Sequence, residues 1–225
     1  MTALAVIDAL KRQYSDIEAR ILYVGGKKGM EGEKNVPSVE ERMVKDAGLD
    51  FLGIRSGKLQ RRFAFSTLIG LAGVIGGFID AFLLFRKRDI SLVFSTGGYV
   101  TVPVCIAAWL KKVPVVIHEQ TTRVGLSNKI VSRFACKVLV GYPGAEEFFP
   151  SKRTIFTGNT VRTALVNPSV WPKALRVKLR SFKKKSVQYP VVLIAGGGQG
   201  SHVLNNTALI ALKSLASHFH VIIIT

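Results

Sequence analysis

Ser91-Leu92-Val93-Phe94-Ser95 runs into Thr96-Gly97-Gly98-Tyr99, and Pro114-Val115-Val116-Ile117 into His118-Glu119-Gln120. Val138-Leu139-Val140 runs into Gly141-Tyr142-Pro143-Gly144, and Thr154-Ile155-Phe156-Thr157 into Gly158-Asn159-Thr160-Val161-Arg162. Each is a short apolar run that stops at a glycine-rich or polar loop. Strands buried on both faces read as near-continuous apolar runs, and open parallel sheets bind ligands outside the carboxyl ends of their strands. Four such junctions in succession read as one polar crevice along the edge of a parallel sheet.

Working outward, Thr2 to Gln13 has helical character, Arg20 to Val24 reads as a strand, and Phe63 to Arg86 as a long apolar helix. Alternating β and α elements predict an α/β fold with a Rossmann-like parallel sheet covered on both faces. A doubly wound domain ordinarily opens on its first strand and phosphate-binding turn. Here a helix comes first, so the domain reads as lacking its first strand. Downstream, Pro190 to Ala195 reads as a strand, Gly196 to Gly200 as a turn, His202 to Ser217 as a helix and His218 to Ile224 as a strand. One βαβ unit cannot cover both its faces, so it reads as the opening of a second Rossmann-like domain. A boundary at Tyr189-Pro190 gives domains 1–188 and 189–225.

Apolar residues make up 48% of the 225 residues, which excludes a disordered chain, and the formal charge is +18. Cations cluster at Lys58, Arg61 and Arg62, at Arg86, Lys87 and Arg88, at Lys111 and Lys112, and from Lys173 to Lys185 without an intervening acid. Such a surface favours anionic lipid headgroups or nucleic acid. Basic loops interleaved with aromatics are absent, so nucleic acid is not the expected partner. Cys105 and Cys136 lie in apolar segments without C-x-x-C spacing and read as buried reduced thiols.

Phe63 to Phe85 is 23 residues long with Asp80 as its only charge. About 20 apolar residues suffice to cross a bilayer, so a transmembrane helix is one reading. Against it, a central acid costs about 2–3 kcal/mol, and cations at both ends give no orientation. Gly70, Gly73, Gly76 and Gly77 form a small face suited to close packing. The expectation is therefore a helix lying against the α/β domain.

Among candidate chemical groups, Arg162 offers a planar donor for pyrophosphate or carboxylate, or else caps a helix. The Gly197-Gly198-Gln199-Gly200 turn follows a strand and opens a helix, which suits a phosphate, or simply tight packing. His118-Glu119-Gln120 is a structural cluster, or one that grips sugar hydroxyls or positions a base. Gly97-Gly98-Tyr99 is an anion nest or a tight turn with a packed tyrosine. His218 and His220 alternate on one strand face and read as packing groups. No Asp-x-Asp pair is present to hold a divalent cation, so neither metal nor cofactor is expected.

These motifs resemble those of the MurG family, bacterial transferases of GT-B architecture, across nearly the whole chain. His118-Glu119-Gln120 matches the family's His-Glu-Gln-Asn with Thr121 in place of asparagine. Gly158-Asn159-Thr160-Val161-Arg162 matches Gly-Asn-Pro-Val-Arg with Thr160 in place of proline. Gly97-Gly98-Tyr99 matches a Gly-Gly-Tyr loop, and Gly197-Gly198-Gln199-Gly200 resembles Gly-Gly-Ser-Gln-Gly with Gly198 at the serine. Lys27-Lys28-Gly29-Met30-Glu31 is similar to a further signature. The resemblance begins after the family's first glycine loop and its histidine, and ends early in its second domain.

The resemblance implies transfer of N-acetylglucosamine from UDP-N-acetylglucosamine to the 4-hydroxyl of undecaprenyl-pyrophosphoryl-N-acetylmuramoyl-pentapeptide, with inversion, in peptidoglycan synthesis. It implies donor contacts at Thr121, Arg162, Gly198, Gln199 and Asn205, and an acceptor pyrophosphate loop at Gly97, Gly98 and Tyr99. His118 and Glu119 become the candidates for catalysis. A peripheral site on the anionic cytoplasmic face of the bacterial membrane would use Arg61, Arg62, Phe65, Leu68, Ile69, Phe82, Leu83, Arg86 and Lys87. A glycolipid synthase of the same architecture, a basic non-enzymatic membrane- or nucleic-acid-binding α/β protein and an integral membrane subunit are the competing readings. As a fragment of such a transferase the chain is expected to be catalytically silent alone.

Overall fold

The computed structural model describes residues 2–14, 20–26, 38–55, 66–167, 169, 171–174, 176–177, 180, 189–196 and 201–224; for 66–74 and 164–165 it describes backbone only. The chain divides into two compact units, Met1–Thr163 and Ala164–Thr225. This division falls ahead of the Tyr189 boundary expected from sequence.

In the first unit α1 (Thr2–Gln13) precedes β1 (Leu22–Gly26), α2 (Val39–Asp46), β2 (Asp50–Ile54), α3 (Ser66–Lys87) and β3 (Val93–Ser95). Then follow α4 (Thr101–Leu110), β4 (Val115–Glu119), α5 (Leu126–Val131), β5 (Lys137–Val140), β6 (Thr154–Phe156) and the single turn α6 (Thr163–Val166), which crosses into the second unit. All strand pairs are parallel, in a two-stranded sheet β1-β2 and a four-stranded sheet β3-β4-β5-β6. The α/β alternation read from sequence is thus the observed architecture. His118 and Glu119, expected just beyond a strand, are the last residues of β4, and β1 starts two residues later than expected and includes Gly25 and Gly26.

β4 is buried along its length apart from Val116, because α4 and α5 cover it and β3 and β5 flank it. Val102, Cys105 and Ala108 of α4 pack with Val115, Ile117, Val131, Val138 and Val140 into the main core. Each fully buried Val or Ile contributes about 1.5–3 kcal/mol. A second cluster joins Ile54, Ala81, Val104 and Ala107 with Val24, Leu52 and Val93, so α3 and α4 form one layer beneath both sheets. Burial pushes the Cys105 thiol up to about 12, the state of an inert packing group. Cys136, by contrast, is exposed, its thiol donating to Val115 O.

Local chemistry ends the helices. Ser38 caps α2 by accepting from Glu41 N, a capping box in sequence form. Gly48 (φ +68°) closes α2 through Leu49 N to Val44 O, and Lys112 (φ +60°) closes α4 in the same way through Val113 N to Ala108 O.

The acid of the apolar helix is explained by its partner. Asp80 accepts from Arg55 Nη2 at 2.7 Å, from Arg55 Nε at 2.9 Å and from Arg55 N at 2.9 Å, which ties α3 to the end of β2. The ion pair beside it raises the Arg55 guanidinium further above its ordinary value. Among the described residues no helix is long and apolar enough to cross a membrane.

The second unit contains β7 (Val191–Ala195), α7 (His202–Ala216) and β8 (His220–Ile224), with β7 and β8 parallel. His218 lies in the turn before β8 and not on the strand, so the two histidines do not share a strand face.

A Cβ at Gly77 would lie 2.3 Å from the backbone oxygen of Arg55, whereas one at Gly76 meets only the flexible Arg55 side chain, at 3.3 Å. Gly77→Ala is therefore expected to lower stability by about 1–3 kcal/mol in urea denaturation. Gly76→Ala is expected to be neutral or to add up to about 1 kcal/mol from helix propensity.

Candidate functional site

The ends of β3, β4 and β6 carry polar loops singled out by sequence, and side-chain bonds join those of β4 and β6. Glu119 is 3% exposed. Its Oε1 accepts from Thr121 Oγ1 (2.7 Å) and Thr121 N (3.1 Å). Its Oε2 accepts from Gly125 N (2.9 Å) and Asn128 Nδ2 (3.1 Å). Burial raises the carboxyl pKa, but the bonds from Thr121, Gly125 and Asn128 outweigh it and hold the group below its ordinary value. The result is an ionised clamp that folds residues 120–125 back over the end of β4.

His118 points to the opposite side of the sheet and is 1% exposed. Its Nε2 lies 3.3 Å from Gly158 O, and a carbonyl only accepts, so Nε2 is the donor in this contact. Nδ1 is buried without a partner among the described residues. Neither candidate for catalysis is presented to solvent: His118 is sealed beneath the β6 loop and Glu119 is saturated with donors.

Thr121, an expected donor contact, is exposed as a residue, but its hydroxyl proton is directed to Glu119. Arg162 is exposed at the end of the loop that follows β6. In that loop Asn159 Nδ2 donates to Gln120 O at 3.4 Å, joining the β4 and β6 loops. Gln120 also receives a hydrogen bond from the hydroxyl of Thr2, so the first turn of α1 meets the same rim.

Gly97 and Gly98 both hold positive φ (+93° and +94°), which carries the loop back toward α4. Tyr99 is 40% exposed, and its Oη lies 2.7 Å from where a Cβ of Gly26 would stand. Burial, then the charge of Glu40, raises the pKa of this phenol. Asn205 lies in the first turns of α7, capped by Ser201, which accepts from Leu204 N. Gly198, Gln199 and the Lys27–Glu31 signature lie outside the described residues.

A separate surface gathers around α3. Ile75, Ile79 and Leu83 form an exposed row at four-residue spacing, and Arg86 and Lys87 end the helix. Phe82 holds Lys111 Nζ 4.8 Å from its ring centroid, joining this row to exposed Trp109 and Leu110 at the end of α4. Leu68 and Ile69 belong to α3 but their side chains lie outside the described residues, as do Arg61, Arg62 and Phe65 altogether.

Sequence reasoning missed Asn128 and Gly26 as parts of the rim, and Trp109 and Leu110 as parts of the apolar surface. Trp109 and Leu110 stood next to the noted Lys111-Lys112 pair. Asn128, ten residues beyond His118, had no spacing signal.

Residues 2–140 match the model of the glycosyltransferase family 28 N-terminal domain. A Treponema denticola UDP-N-acetylglucosamine--N-acetylmuramyl-(pentapeptide) pyrophosphoryl-undecaprenol N-acetylglucosamine transferase is 37% identical over 222 residues, covering 97% of this chain and 54% of its own length. A second transferase of that name from Bacillus cereus is 34% identical over 219 residues, covering 97% and 57%. The chain thus spans about half the length of the curated relatives it matches.

Among solved structures, Acinetobacter baumannii MurG superposes with TM-score 0.56 at 20% identity, covering 99% of this chain and 60% of that one. A putative UDP-N-acetylglucosamine 2-epimerase from Listeria monocytogenes gives TM-score 0.63 at 10% identity, covering 99% and 57%. These two likenesses show a shared GT-B type fold.

A group whose folded pKa is depressed contributes stability above its unfolded value and loses it as pH falls through the folded one. Glu119→Gln should therefore lower the melting temperature at neutral pH. It should also flatten the loss of stability as pH falls below the ordinary 4.5 of a glutamate, in thermal melts across that range.

Proposed function

This chain belongs to glycosyltransferase family 28, and from that premise we propose that it acts in transfer of N-acetylglucosamine from UDP-N-acetylglucosamine to undecaprenyl-pyrophosphoryl-N-acetylmuramoyl-pentapeptide. The observation that carries this reading is the 37% identity with the Treponema transferase over 97% of the chain. The rim at the carboxyl ends of β4 and β6, cross-bonded through His118 and Asn159, supports it.

In this reaction the 4-hydroxyl of the muramoyl unit attacks the anomeric carbon of the donor from the face opposite UDP. The new C–O bond forms as the bond to the β-phosphate oxygen breaks, the hydroxyl proton passes to solvent water, and the configuration inverts. Negative charge develops on the departing diphosphate. Exposed Arg162 is suited to bind it bidentately, and such preorganised charge is usually the largest catalytic contribution. The Gly97–Tyr99 loop, with no Cβ at two successive positions, lets backbone approach an acceptor pyrophosphate. His118 and Glu119 act through the loops they hold, since a general base must reach within about 3 Å of the attacking hydroxyl and both are sealed.

The acceptor is a membrane lipid, and the α3 surface suits that source. Ile75, Ile79, Leu83, Trp109 and Leu110 provide apolar surface, with Arg86, Lys87, Lys111 and Lys112 beside it. Each cation near an anionic leaflet adds about 1 kcal/mol. We assign this face to peripheral contact with the anionic cytoplasmic side of the membrane.

The decisive experiment replaces the matched 222 residues of the Treponema relative by this chain and assays transfer of labelled N-acetylglucosamine to the lipid acceptor. Transfer is expected, and Arg162→Ala in that chimera should lower kcat by about 10²-fold. A folded chimera without transfer would refute the assignment. For the membrane face, sedimentation with phosphatidylglycerol vesicles should show binding that weakens with salt. Trp109→Ala should weaken it by about tenfold through lost apolar insertion.

A further inference from the structure

We propose that Asn128 is a positioning residue that couples the Gly97–Tyr99 loop to the Gln120–Gly125 loop. Naming these loops as acceptor and donor surfaces rests on the transferase reading; the coupling itself does not.

Asn128 sits on α5 and is 2% exposed. Its Nδ2 donates to Glu119 Oε2 at 3.1 Å and to His118 O at 3.3 Å. A carboxylate and a carbonyl only accept, so these two bonds fix which way the amide faces. Oδ1 is buried and has no partner among the described residues. A buried acceptor left in this state is costly, and a leucine of similar volume would fill the space without that cost. The amide is therefore poorly explained as core filler.

What the amide does touch is the neighbouring loop. A Cβ at Gly97 would stand 3.2 Å from Nδ2 and 3.4 Å from Oδ1, so the bare Gly97 backbone lies directly against the Asn128 amide. Gly97 N–H is only weakly engaged, 3.4 Å from Ser95 Oγ. One planar group thus has two hydrogen bonds to the end of β4 and its glutamate clamp, and the Gly97 backbone close against both its nitrogen and its oxygen. A ligand that shifts Thr121 or Gly125 alters the Glu119 clamp, tilts the amide and moves Gly97. The reverse path is equally open.

The test is a double-mutant cycle read by amide NMR on the chain without substrate. Glu119→Gln should shift the amide signals of Gly97 and Gly98 as well as those of Thr121 and Gly125. In an Asn128→Leu background the same change should still move Thr121 and Gly125, while the response at Gly97 and Gly98 shrinks at least about fivefold. Undiminished response at Gly97 in the leucine background would overturn the proposal.

A reciprocal arm leaves position 128 intact and decides the matter alone where Asn128→Leu does not fold. Gly97→Ala presses a methyl onto the amide and should shift Thr121 and Gly125; unmoved signals there would overturn the coupling. Since no substrate is used, failure here leaves the transferase reading standing, and failure of the chimera leaves the coupling standing.

Discussion

A carboxylate taken out of water at the end of the central strand is the constraint around which the rim is organised. An uncompensated buried ion is far too costly for a domain of this size, so Glu119 obliges the chain after it to supply donors at once. Thr121 meets the demand two residues on, Gly125 six residues on through its backbone, and Asn128 from the first turns of α5. Those three donors set the path of residues 120–125 and the starting point of α5. A hydrogen-bonded clamp around a full charge is stiffer than a loop held by packing, because the donors cannot leave without exposing the charge to an apolar surround.

Elsewhere in the unit a charge pair performs a different task. The Asp80–Arg55 pair lies near the surface and adds little to stability as an isolated pair. Its use is geometric, since three bonds from one residue fix the crossing of α3 over the end of β2. With that crossing set, the apolar row Ile75, Ile79 and Leu83 faces outward while Ala81 and Leu84 face the core. An acid that counted against a membrane span in sequence is here the group that presents the helix's apolar row to the outside.

The fold class was legible because parallel strands buried on both faces write themselves as apolar runs, and Val115 to Ile117 is such a run. The carboxyl-end loops were legible for the same reason, since glycine and polar residues mark where the runs stop. What the sequence did not disclose was which way side chains turn there. His118 and Glu119 are neighbours in sequence but face opposite sides of the sheet, and no motif says that one tucks under Gly158 while the other gathers donors. Asn128 was invisible because its partners become neighbours only once α5 folds back on β4. The thiol of Cys136 was misread because an apolar neighbourhood in sequence does not place a residue indoors when it sits at the entrance to a strand.

The two sheets of the first unit share a helical layer, yet among the described residues no ladder joins β1 to β3. Backbone hydrogen bonding therefore divides this unit where hydrophobic packing unites it. Cooperativity across that line rests on packing through the shared helices and on the Arg55–Asp80 bonds, not on a register of paired amides. The amides of the β1–β2 pair are therefore expected to exchange with solvent on a schedule of their own.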